Sequence, residues 1–196
     1  MSYEIAADQS FAAVLDRPIL GQELAQQFFG NAASVGRLSH AYLMVGPEGV
    51  GKRTLAQYFI ASLLCRYGPG QVCNECASCS RLRHNNHLGF QLVEPAPGGR
   101  IRIDQIRECI HELMIRSSDR RVLLIDQADS MNVEAANALL KTLEEPPPGV
   151  VFFLVSSKPA GILDTIHSRC HRIALKSLAF EPFSAVMQQF GQADGE

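Results

Sequence analysis

At 196 residues, with 46% hydrophobic and 19% charged side chains, the chain is long enough for one domain with a full hydrophobic core and the beginning of a second. A formal net charge of −2 excludes a freely acting nucleic-acid binder of the usual basic kind, so any DNA contact is expected to be local or shared with partners. The sequence carries no basic segment leading into an apolar run and no apolar stretch long enough to span a membrane, which leads to the expectation of a cytoplasmic protein.

In chain order, residues 22–35 have a helical pattern, and the apolar run AYLMV (41–45) follows as a buried strand. Next comes VGPEGVGKRTLA (45–56), in which Gly46, Gly51 and Lys52 fit the phosphate-loop pattern G-x-x-x-x-G-K-[ST]. Gly46, Gly49 and Gly51 would let the backbone bring its N–H groups to phosphate oxygens, and the helix predicted over 51–65 would add its positive end. Lys52 would reach the outer phosphates. The position that should offer a hydroxyl to Mg²⁺ holds Arg53, a fixed cation poorly suited to a metal site. Thr54 is a poor substitute, because one step along a helix turns the side chain by about 100°.

Six cysteines are present, and Cys65, Cys73, Cys76 and Cys79 cluster after this helix. In a chain without an export signal, C-x₂-C-x₂-C spacing with a fourth thiol upstream points to a closed structural zinc site, with His84 or His87 as alternatives to Cys65. An iron–sulfur run would want a further Cys near position 83, where Arg83 stands. Cys109 reads as a small core residue.

FQLV (90–93) is the next strand, followed by IDQIRECIHELM (103–114), whose apolar residues share one helical face. The arginines at 81, 83, 100, 102 and 107 offer a DNA-facing patch as one reading, but such scattered charges are more often solvated surface, and Glu108 and Glu112 dilute them. RVLLID (121–126) is a strand that pushes Asp126 to its C-terminal end, where α/β sheets bind ligands and where Asp126 would hold Mg²⁺ through water. The residue after it is Gln127, whose amide can position a water but cannot act as a carboxylate base. A helix over 133–145 stops at three prolines and Gly149; VVFFLV (150–155) and RIAL (172–175) complete five strands. Strand–helix alternation of this kind predicts an α/β fold with a parallel sheet flanked by helices. The closing LAFEPFSAVMQQF reads either as a linker and helix opening a second domain or as a terminal helix docked on the first.

ILGQ (19–22), RLSHAYLMVGPEGVGK (37–52), the four cysteines, NALLKTLEEPP (137–147) and SRC (168–170) together resemble the AAA+ clamp-loader subunits of bacterial DNA polymerase III, over about residues 10–180. Within that family, Arg53 and Gln127 resemble the delta-prime kind rather than the gamma/tau motor kind. The resemblance implies an AAA+ P-loop domain over 1–176 with a five-stranded parallel sheet and an inserted zinc module at about 65–87. It implies a truncated lid over 177–196. It places Gly21-Gln22 near an adenine pocket, Ser156 or its neighbour Ser157 as a γ-phosphate sensor, and Arg169 as an arginine finger acting in trans on a neighbouring gamma/tau subunit. The implied function is a scaffold subunit of a pentameric ring, with gamma/tau and delta subunits, the sliding clamp and primed DNA as partners, structural Zn²⁺, and weak or absent ATP/Mg²⁺ binding. A gamma/tau-type ATPase is the alternative. A small-molecule P-loop kinase is the third reading, although no phosphoacceptor pocket or lid arginines are visible for it.

Overall fold

The computed structural model describes residues 10–115 and 120–191. A short helix α1 (Phe11–Leu15), capped by Ser10, and helix α2 (Glu23–Ser34) precede the first strand β1 (Ala41–Val45). Helix α3 (Lys52–Leu64), helix α4 (Ala77–Arg83) and strand β2 (Phe90–Val93) follow. Then come α5 (Ile103–Ile115), β3 (Arg121–Ile125), α6 (Val133–Glu144), β4 (Val150–Ser156), α7 (Asp164–His167), β5 (His171–Ala174) and α8 (Phe180–Gly191).

The five strands form one parallel sheet in the order β2-β3-β4-β1-β5. β1 runs between β4 and β5, with Tyr42 beside Phe153 on one side and His171 on the other. The central strands are apolar throughout because both faces of a parallel sheet are covered. Alternation then divides each strand between two cores. Tyr42, Met44, Val122, Leu124, Phe153 and Val155 face α1 and α3. Leu43, Val45, Leu123, Ile125, Phe152 and Leu154 face α5, α6 and α7. On the first face Phe29 stacks on Phe59 with ring centroids 4.1 Å apart, and the Tyr42 hydroxyl accepts from the Ser39 N–H at 2.9 Å.

All five predicted strands and the five longer predicted helices are present, with ends moved by one or two residues. Three short helices lie where sequence periodicity has too few turns to show: α1, α4 and α7. Residues 65–87, read as an inserted zinc module within the domain, contain α4, a helix that the sequence reading did not include. In the structure α4 sends Leu82 into the first core, fully buried beside Phe11 and Leu55, so this segment is part of the domain's packing. The stretch read as the start of a lid appears as α8, and its residues 192–196 lie outside the described ones. Among the described residues no helix is long and apolar enough to cross a membrane.

Candidate nucleotide-type site and cysteine centre

The loop after β1 reaches α3 through Gly51, which adopts φ +86° and serves as the α3 N-cap without a side chain to cap the helix. A β-carbon at Gly46 would sit 2.5 Å from the Leu175 carbonyl oxygen, so the loop can pass this close to the end of β5 only as glycine. The first turn of α3 holds Lys52 and Arg53 and no acid, so two cations stand at the helix's positive end. That arrangement requires nearby anions.

Those anions come from the neighbouring strand ends. A cavity of about 330 Å³ over the loop is lined by Gly49, Gly51, Lys52, Arg53, Thr54, Asp126, Gln127, Ser156 and Ser157, among others. The structure therefore gathers most of the residues read from the sequence as one site; Gly46 contributes a carbonyl and Arg169 is not part of the lining. Arg53 Nη1 donates to Asp126 Oδ2 at 2.9 Å and also pairs with Glu94. The Arg53 and Asp126 side chains are 16% and 13% exposed, which makes this a partly buried ion pair. Its guanidinium thus occupies the carboxylate that the sequence reading assigned to Mg²⁺.

Lys52 is also engaged within the chain. Its ammonium donates to the carbonyls of Gly46 at 3.0 Å and Pro47 at 2.6 Å. Burial holds its pKa below the usual lysine value, partly offset by Asp126, Glu48 and Asp129. Gln127 sits at φ +50°, its N–H bonded to Asp126 Oδ1 at 3.0 Å, and its side chain is exposed. Ser156 is fully buried; its hydroxyl donates to Asp129 and accepts from the Lys158 N–H at 3.0 Å. Thr54 and Ser157 are exposed at the cavity. Gly21 adopts φ +76° and is covered by Leu178, while the Gln22 amide donates to the Lys176 carbonyl at 2.5 Å and accepts from its N–H at 3.4 Å.

Glu94 has no place in the sequence reading. The signal was available: FQLVE has the same form as VLLID, an apolar strand ending in an acid. The register Val93↔Ile125 then sets Glu94 beside Asp126.

The four cysteines form a second centre. Their Sγ atoms lie within 4.8 Å of one another, with Cys65–Cys73 at 3.6 Å, Cys73–Cys79 at 3.9 Å and Cys76–Cys79 at 3.6 Å. Four thiolates about 2.3 Å from a tetrahedral zinc would stand about 3.8 Å apart, so the donor set fits that metal's size and chemistry. Cys73 Sγ accepts from the Cys76 N–H at 3.3 Å, and Cys76 Sγ caps α4 by accepting from the Cys79 N–H at 3.5 Å. Burial acts to raise the Cys76 thiol, but hydrogen bonds from the Arg66 and Cys79 N–H groups and from neighbouring thiols outweigh it and bring the pKa down to about 6. Burial and the Cys76 contact push Cys79 up.

His87 takes another role. Ser78 Oγ donates to the Leu64 carbonyl and lies 2.7 Å from His87 Nε2, while His87 Nδ1 accepts from the Gly89 N–H at 3.0 Å. This pattern fixes a neutral ring protonated at Nε2. Cys109 packs against the second core, and burial raises its thiol to about 11. Cys170 of the SRC segment is likewise raised by burial, to about 12.

Residues 21–179 match the sequence model of the family described as DNA polymerase III, delta subunit. The chain is 43% identical to the delta' subunit of Pseudomonas aeruginosa DNA polymerase III over 136 residues, 67% of this chain and 42% of that protein. It is 37% identical to the Bacillus subtilis delta' subunit over 154 residues, 78% of this chain and 45% of the relative. It is 34% identical to the Escherichia coli tau subunit over 188 residues, 92% of this chain and 28% of the relative. The chain thus spans less than half the length of these curated relatives. Its fold is shared with a Thermotoga maritima gamma subunit-related protein, at TM-score 0.53 and 21% identity over 81% of this chain and 46% of that one. The RuvB P216G mutant of the same organism matches at TM-score 0.58 and 16% identity over 89% of this chain and 52% of its own. The parallel five-stranded sheet flanked by helices anticipated from the sequence is present, and the chain belongs to the family described as DNA polymerase III, delta subunit, whose relatives include delta' and tau subunits of that polymerase.

Proposed function

We propose that the chain is a delta-prime-like clamp-loader subunit that acts as a scaffold and in trans. The observation that carries this reading is Arg53, whose guanidinium pairs with Asp126 and Glu94 where an ATPase would hold Mg²⁺. A divalent cation could join Asp126 only by displacing a covalently tethered cation. Gln127 puts an amide at the position where a motor subunit would carry the carboxylate that activates water. Nucleotide binding at Gly46, Gly49, Gly51, Lys52, Thr54 and Ser156 is accordingly weak or absent. In this reading the cytoplasmic subunit joins gamma/tau and delta subunits in a pentameric ring. Its Arg169 reaches the nucleotide site of the adjacent motor subunit and stabilises charge on the transferring phosphate while the ring opens the sliding clamp for primed DNA. In the same reading, 1–176 is assigned to the AAA+ domain and the lid to the sequence from 177 on. Cys65, Cys73, Cys76 and Cys79 would hold zinc in a purely structural role, with no position left open for a reacting group.

The test is titration with a fluorescent ATP analogue, with and without Mg²⁺, and phosphate release followed in the same samples. We expect no saturation below millimolar nucleotide and no turnover. A second reading, a gamma/tau-type motor, draws on the retained Lys52 and on the 92% of this chain matched by the E. coli tau subunit. Tight Mg²⁺-dependent binding with turnover, lost in Lys52→Ala, would establish that reading instead.

A further inference from the structure

Arg169 is held by its own chain. Its Nη1 donates to the Thr165 carbonyl at 2.9 Å and to Ser168 Oγ at 3.3 Å, and its Nη2 donates to Glu144 Oε1 at 2.7 Å. Glu144 is the last residue of α6, within the TLEEPP segment, and Arg169 follows α7, so the ion pair joins two separate elements. The two side chains are 34% and 45% exposed, which leaves the pair open to an incoming anion.

Glu144 does nothing favourable for its own helix. The C-terminus of α6 is its negative pole, and Glu144 with Glu145 adds two carboxylates there against Lys141 in the same turn. What this carboxylate does is engage Arg169. Both terminal nitrogens of the guanidinium are occupied by acceptors within the chain. A phosphate offered by a neighbouring subunit needs the same N–H groups, because the planar fork recognises carboxylate and phosphate through the same edges.

Resting on the assignment of Arg169 as a trans-acting finger, we propose that Glu144 parks Arg169 against α6 and α7. The terminal phosphate of a neighbour's nucleotide must then displace this carboxylate to recruit the arginine. A pair this exposed biases such an equilibrium about two- to fivefold, so it sets a threshold and is not a block. At a closed, water-poor interface the more highly charged phosphate prevails. Glu144 is thus a positioning residue; it touches no reacting group itself.

The experiment uses the full-length protein assembled with its ATPase partner subunits, and follows ATP hydrolysis with and without clamp and primed DNA. Glu144→Gln keeps the side chain's size and removes its charge. The expected result is a two- to fivefold rise in hydrolysis without clamp and DNA, little change with them, and no loss of thermal stability in the variant subunit. Combined with Arg169→Ala, the gain should vanish. If Arg169→Ala alone leaves hydrolysis untouched, the finger assignment fails, and the proposal with it. If Arg169→Ala lowers hydrolysis but Glu144→Gln leaves the unstimulated rate unchanged or lowers it, the finger stands and parking is overturned; a lowered rate would mean that Glu144 aims the arginine.

Discussion

Arg53 illustrates how one side chain can change what a loop does while leaving its shape alone. Gly51 still turns the chain into α3 and Lys52 still stands at the helix start, but the guanidinium ties α3 to the ends of β2 and β3. Arg53→Ser restores the hydroxyl of the motif and leaves Asp126 and Glu94 without the guanidinium that joins them. We expect a loss of about 1–3 kcal/mol in denaturant unfolding. Mg²⁺ should return part of that loss in the variant and have little effect on the wild type. An equal response of both proteins to Mg²⁺ would show that Arg53 does not stand in for the metal. The sequence displayed the missing hydroxyl and Gln127 directly. Glu94 was visible as an acid ending an apolar strand, but its pairing with Arg53 was not, because the two are 41 residues apart and meet only through the pairing of β2 with β3. The inward fold of Lys52 onto its own loop carbonyls was equally out of reach, since backbone acceptors leave no mark in a sequence.

Among elements, α4 carries the most unexpected role. Its N-cap is a cysteine, its buried face is Cys79 and Leu82, and its polar residues hide the periodicity that would otherwise announce a helix. β1, β3 and β4 were legible for the opposite reason: strands buried on both faces are written as unbroken apolar runs. α4 is fastened to the end of α3 and the start of β2 by Ser78 and His87. Burial, with Arg81 nearby, holds the His87 pKa below its usual value near 6.5. The unfolded chain then binds the proton more readily than the folded one, so stability is present above about pH 6.5 and lost as pH falls toward the lower folded value. In chemical denaturation across this range, the wild type should lose stability more steeply than His87→Asn, which cannot titrate. Parallel slopes for the two would remove His87 as the cause. Thiolate protonation is common to both proteins and drops out of the comparison.

At the scale of the whole molecule, one sheet separates two cores, and each functional centre is anchored in this frame. The cysteine centre is not an appendage: Leu82 and Phe11 share the first core with Phe29, Tyr42 and Phe153. With zinc held there as proposed, its removal with a chelator should lower the melting temperature of the entire unit in a single calorimetric transition. For a chain of this size each kcal/mol lost lowers that temperature by about 2–4 °C. Two resolved transitions would instead mean that residues 65–87 melt alone. Ligand-binding ends and motif placement could be read from strand–helix alternation, while the sharing of one core by α1, α4 and the sheet depends on contacts between segments about 70 residues apart.

Gln22 presents its side-chain amide to both the N–H and the carbonyl of Lys176, as a neighbouring strand residue would. The chain leaving β5 is thereby stitched to the start of α2 by an imitation peptide group. Two bonds to one residue fix both its position and its orientation, and Leu178 packs on Gly21 two residues further along. The segment that leads into α8 is therefore clamped to the opening turn of α2, so a displacement of α8 has to break these contacts or carry α2 with it.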